Sequence, residues 1–357
     1  MNISIRAAIQ QTILSSKYIA LFILLFSFIV TSVSSSPLPE EIRLGGEQVM
    51  DLVCKEDFQT AEDAAKKIIK KDPDNPAGYF FVAVAIDAWM EYYFDKTKEN
   101  EFYKYCDLAI EKSEKILAVK PDDEWAVFFM GGADGYKGTY EGRYERWITA
   151  YRYGWRGVST LQKLDKMECD IFDIYFGIGS YEYWRSAMIN TLWFMPKVND
   201  RRAEGIKKLY ISAEKGMLTK SASYCALVDI LLNENQVEDA LKISEKMVRL
   251  YPASTMFLWG KARALYGVGR FKESRQILLS MLVKYESDKG RHYYYPLLCH
   301  YWLVRIAAAE KKYAEVIKEA DLVKKYKLDD EIKKLLGKYI DEVSDLKKIA
   351  QDEIKQK

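Results

Sequence analysis

Histidine is nearly missing from this chain: 357 residues include only His292 and His300. Neither belongs to an HExxH helix or to a Cys-His cluster at metal-ligand spacing, so no metal site is expected, and both read as polar packing or surface residues. There is no GxSxG elbow. GADGYKG at Gly132 and GVGRFK at Gly267 neither complete a phosphate-binding pattern nor follow a strand, and they read as turns. Carboxylates are spread so widely over polar helix faces that no acid/base pair stands out. No catalytic residue, cofactor or metal is assigned, and an enzyme is not expected.

An excess of one charge is also lacking. Lys and Arg number 54 against 52 Asp and Glu, and without Arg6 and Lys17 the basic total falls to 52. A neutral surface cannot replace phosphate counterions over a long contact, which excludes a general nucleic-acid partner. Cysteines are few, at 54, 106, 169, 225 and 299, and no two are close enough for a metal knuckle. They read as apolar core thiols on helix faces, with at least one bridge as the alternative in an oxidising compartment.

A long apolar run is absent too. Tyr18 to Val30 (YIALFILLFSFIV) has 13 residues, short of the roughly 18 to 20 that span a bilayer. It follows Arg6 and Lys17 and precedes TSVSSS, the layout of a secretory signal cut near Ser34 to Ser36. Residues 1–36 therefore read as a cleaved signal, or, because Pro37 disfavours cutting directly before it, as an uncleaved anchor giving membrane association through residues 18–33. Either reading puts the chain in the periplasm or cell envelope.

From Pro37 onward the apolar residues recur at helical spacing, without a convincing run of strand alternation, so the expected class is all-α. Ala61, Ala64, Ala65, Ile68 and Ile69 make one stripe, closed by Asp72-Pro73, and Asn75-Pro76 starts the next helix. Ala109, Ile116, Leu117 and Pro121 repeat the offsets of Ala61, Ile68, Ile69 and Pro73, as do Ala240, Met247, Val248 and Pro252. With the small, turn and second-helix positions of Ala262, Gly269, Phe271 and Ser274, this order resembles the tetratricopeptide repeat family. That resemblance implies a right-handed α-solenoid over residues 37–325, with hairpins starting near residues 42, 76, 122, 168, 219, 254 and 291, and a capping helix within 326–357. The 48 residues from Pro73 to Pro121 imply irregular central repeats.

Between Phe128 and Arg202 aromatic residues and glycines crowd together. Gly177 and Gly179, each costing a helix roughly 1 kcal/mol, point to close approach by another helix or a ligand. The aromatics there read either as packing between long hairpins or as a binding surface made of Tyr136, Tyr140, Arg143, Tyr144, Trp147, Tyr181, Trp184 and Arg185. Asp200 is expected to cap the helix after it or to pair with Arg185. The segments YFGIGSYEYWRS, LWFMP and NDRRAEGI together resemble a hairpin of exported bacterial tetratricopeptide proteins of undefined activity. The resulting expectation is a scaffold holding a protein or peptide partner. The alternatives are a receptor for a small molecule or glycan and an envelope assembly factor, the latter disfavoured because no lipid-attachment Cys follows the apolar run.

Overall fold

The structure, a computed structural model, describes residues 37–188, 199–288 and 293–356. The signal or anchor segment, LWFMP and His292 lie outside these residues. Fifteen helices and no strand occur among the described residues, and consecutive helices pack into an all-α solenoid. They are α1 (Glu40–Cys54), α2 (Phe58–Lys71), α3 (Pro76–Tyr93), α4 (Glu99–Val119), α5 (Glu124–Arg143), α6 (Trp147–Lys166), α7 (Ile174–Met188) and α8 (Arg202–Lys215). The series continues with α9 (Lys220–Asn233), α10 (Val237–Leu250), α11 (Thr255–Gly267), α12 (Phe271–Ser287), α13 (Tyr294–Ala309), α14 (Tyr313–Val323) and α15 (Asp330–Lys355). None is long and apolar enough to cross a membrane.

Two kinds of turn alternate. Between hairpins, short polar residues cap the incoming helix: Asn75 Oδ1 accepts from the Ala77 amide at 3.0 Å and Asp123 Oδ1 from the Ala126 amide at 3.0 Å. Glu168, between α6 and α7, has positive φ, and within hairpins Glu56, Phe94, Glu145, Asn235, Gly269 and Lys311 do. Gly269 and Asn235 suit that left-handed conformation, whereas the other five accept a steric cost of about 1 kcal/mol for it.

Helix α3 is buried almost all round from Pro76 to Asp87, as its apolar sequence requires. One contiguous core joins α1–α7 to α13–α15, and a second gathers α8–α11. The array therefore curls back onto its beginning. The Phe94 ring stacks on Tyr294 with centroids 3.7 Å apart. The Tyr93 hydroxyl donates to Asp288 at 3.0 Å, and Lys96 pairs with Glu331. Farther along the same seam Glu56 Oε1 accepts the Thr255 amide and hydroxyl, each at 2.6 Å, while Oε2 takes Lys284, which also lies over the Tyr92 ring. A buried carboxylate from the first hairpin thus caps the N-terminus of α11, where free amides and the helix dipole favour negative charge.

The glycines in the aromatic region sit where helices cross. A Cβ on Gly179 of α7 would stand 2.7 Å from the Gly205 carbonyl of α8, and one on Gly157 of α6 2.7 Å from the Gly131 carbonyl of α5. Asp200 does not pair with Arg185: it accepts from the Arg202 amide at 3.0 Å and holds the Arg202 guanidinium. Four cysteines are buried, Cys225 is half-buried, and all five are free. His300 is buried against Glu319 at 2.7 Å.

Candidate functional site

The first helices of five hairpins bring a group of charges and rings to the inner face of the curl. Asp87 and Glu91 lie one turn apart on α3, and Arg143 reaches them from the end of α5. Its Nη1 and Nη2 meet the two Asp87 oxygens at 2.9 and 3.2 Å, and Nη2 also donates to Glu91 Oε2 at 3.0 Å. Asp87 and Arg143 are nearly fully enclosed, yet the Glu91 side chain is 54% exposed. On α9 and α11, Asp229 pairs with Arg263, whose Nε is buried without a hydrogen-bond partner.

The rings come from α5, α11 and α13. Tyr136 packs edge-on against Phe80 at 5.6 Å, and Trp259 meets Tyr295 edge-on at 6.2 Å. Tyr295 stacks on Tyr285 at 5.6 Å and touches Tyr294 at 5.1 Å. Tyr294 ties Tyr295 to the end of α3 through Phe94, Tyr295 meets Trp259, and Arg263 follows Trp259 by one turn on α11, so α3, α11 and α13 meet here; the Glu91 charge also opposes ionisation of Tyr136, Tyr295 and Cys225.

Glu91 is open to solvent on one side, yet the helices crowded around it still take part of its hydration. Loss of solvation raises the Glu91 carboxyl above its ordinary range; Arg143 draws it down, and Asp87 and Asp229 push it further up. Burial works against the Arg143 charge, but Asp87 and Glu91 outweigh it and hold the guanidinium protonated. Burial likewise raises the Tyr136 and Tyr295 phenols and the Cys225 thiol, which favours their protonated forms. No group of three or more metal-ligating side chains occurs among the described residues.

The eight residues expected to form one binding surface divide into separate settings. Tyr136 and Arg143 line the inner face. Tyr140 and Tyr144 are buried and cannot touch a partner there: Tyr140 packs 5.2 Å from Phe102, and Tyr144 lies 5.3 Å from Phe94 beneath Lys96. These two correct the surface reading, because α5 is packed on every side and leaves little of its aromatic stripe outside. Trp147 is half-buried at the start of α6. Tyr181, Trp184 and Arg185 sit elsewhere, on α7, with the Arg185 guanidinium 5.7 Å from the Trp155 ring and 5.9 Å from Tyr181. Trp155 and Trp184 are 48% and 39% exposed.

Sequence reasoning missed Asp87, Glu91, Asp229, Arg263, Trp259 and Tyr295. One signal was available, since Asp87 and Glu91 are the only charges in the α3 sequence PAGYFFVAVAIDAWMEYY. An i,i+4 acidic pair on an otherwise apolar helix needs a partner. Neither the protein-family models nor the curated proteins give a match to this chain.

Proposed function

We propose that this chain is an exported tetratricopeptide-type binding protein of the cell envelope, which takes a small organic molecule onto the inner face of its curled array and leaves it chemically unchanged. The observation that carries this reading is the half-open Glu91 carboxylate, set among rings and charges from five hairpins. A mostly aromatic setting with a few converging polar groups is the usual make-up of a ligand site. The neutral, solvent-shielded phenols and thiol offer no activated nucleophile, which favours binding over catalysis. Repeat resemblance rests on the recurrent Ala-to-Pro offsets and the alternating turns. Export rests on Arg6, Lys17, Tyr18 to Val30 and TSVSSS.

Native mass spectrometry of the protein purified from its own envelope fraction tests the reading. The wild type is expected to carry a bound mass that Glu91→Lys and Trp259→Arg lose. Retention of that mass by both variants would place the ligand elsewhere. Measuring the mature N-terminus checks export, because an unprocessed, freely soluble chain would contradict it.

A protein or peptide partner is the second reading, favoured by the exposed Trp155 and Trp184 and by Arg185 over the Trp155 ring, a composition common in interaction hot spots. A crosslinked pull-down comparing wild type with Tyr181, Trp184 and Arg185 changed to Ala separates the two. Equal recovery of partners removes this surface.

A further inference from the structure

Resting on the inner-face reading, we infer that the ligand is an organic cation, an amine or ammonium group carried on an apolar body. Three carboxylates, Asp87, Glu91 and Asp229, face two guanidiniums, Arg143 and Arg263, so the site lacks one positive charge. The deficit falls on Glu91. Arg143 is shared with Asp87 and engages only Glu91 Oε2, and among the described residues nothing donates to Oε1. This is also the carboxylate that stays open while its guanidinium partner is enclosed.

Two of the rings carry none of the protein's own cations. Elsewhere the protein covers its aromatic faces with its own cations: Arg146 over Tyr140, Lys96 over Tyr144, Arg185 over Trp155 and Arg305 over Trp302. Tyr294 and Tyr295 each have one face taken, by Phe94 and Tyr285, and no Lys or Arg among the described residues lies over Tyr136 or Trp259. An ammonium beside Glu91 would meet a carboxylate oxygen with a free lone pair, and the negative faces of these rings would receive its apolar substituents. An anion would meet the charge deficit with the wrong sign, and a neutral ligand would leave it in place.

Three probes of one shape test the inference: 3-phenylpropylamine, 3-phenylpropanol and 3-phenylpropanoate, titrated into the full chain by calorimetry. The amine is expected to bind saturably and the carboxylate not to bind. Glu91→Gln, which keeps the shape and removes the charge, is expected to weaken the amine by about tenfold or more, as loss of one charge-assisted contact implies. Trp259→Leu is expected to weaken it as well, with circular dichroism confirming that both variants fold. Amine affinity within twofold of wild type in Glu91→Gln would overturn the inference, as would equal binding of all three probes or binding of none. Those failures leave the inner-face reading standing, because it is decided separately by the bound mass in the envelope-purified protein.

Discussion

Replacing Gly157 by Ala probes how closely α5 and α6 are drawn together. The added methyl would stand 2.7 Å from the Gly131 carbonyl oxygen and 2.8 Å from the Gly135 amide nitrogen. Both obstacles are backbone, so no side chain can rotate away and the two helices must separate. Overpacking of this kind costs about 1–3 kcal/mol, and the rigid neighbours argue for the upper half of that range. Ala is a better helix former than Gly by about 1 kcal/mol, which offsets part of the loss. The net expectation is a destabilisation of about 1–2 kcal/mol. Gly135→Ala is the matched control on the facing helix. Its Cβ would meet nothing within 4 Å, so it keeps the propensity gain and should stabilise by up to about 1 kcal/mol. Urea titration followed by circular dichroism reads both variants on one scale. The reasoning fails if Gly157→Ala is as stable as wild type, or if the two substitutions shift the midpoint in the same direction.

Other substitutions report on other parts of the molecule. Arg143→Ala strands the buried Asp87 carboxylate and should cost about 3–5 kcal/mol, measured by the same titration, whereas an exposed ion pair such as Lys55–Asp51 should cost under about 1 kcal/mol. Lys311→Gly relieves a left-handed backbone and should raise stability by about 1 kcal/mol; a lower urea midpoint would contradict the turn geometry. The Glu91 pKa is raised in the fold, so its contribution is most favourable below the ordinary carboxylate range and is lost as pH rises through the folded value. The difference in stability between wild type and Glu91→Gln should therefore shift in favour of Gln as pH rises from about 4 to 8, and a constant difference across that window would count against the partial desolvation of Glu91 by its neighbours.

The repeats were readable because their signals are local. Small residues at fixed offsets, Asp-Pro and Asn-Pro turns and the α15 stripe all act within a few residues, and helices start close to the expected positions, at Pro76, Glu124, Lys220, Thr255 and Asp330. Gly179 could be read as close approach, though nothing in the sequence names Gly205 as the residue it meets. What stayed hidden depends on long-range geometry. Nothing near Glu56 says that it caps α11, and Phe94, Glu145 and Lys311 turn the chain left-handed without the residue types that advertise it. Tyr140 and Tyr144 share composition with a surface aromatic stripe. Only the burial of α5 on every side assigns them to the core, and that burial is a property of the neighbours. The inner-face site was obscured for the same reason, since its charges are contributed by helices more than a hundred residues apart.

An open solenoid tolerates a change in copy number, because a repeat added in the middle only moves its two ends farther apart. Glu56 and Thr255 remove that freedom. They are bonded across 199 positions, and Phe94 meets Tyr294 farther along the same seam. Inserting or deleting one hairpin between them would break both joints at once, so the number of hairpins in this protein is set by the circumference it has to close.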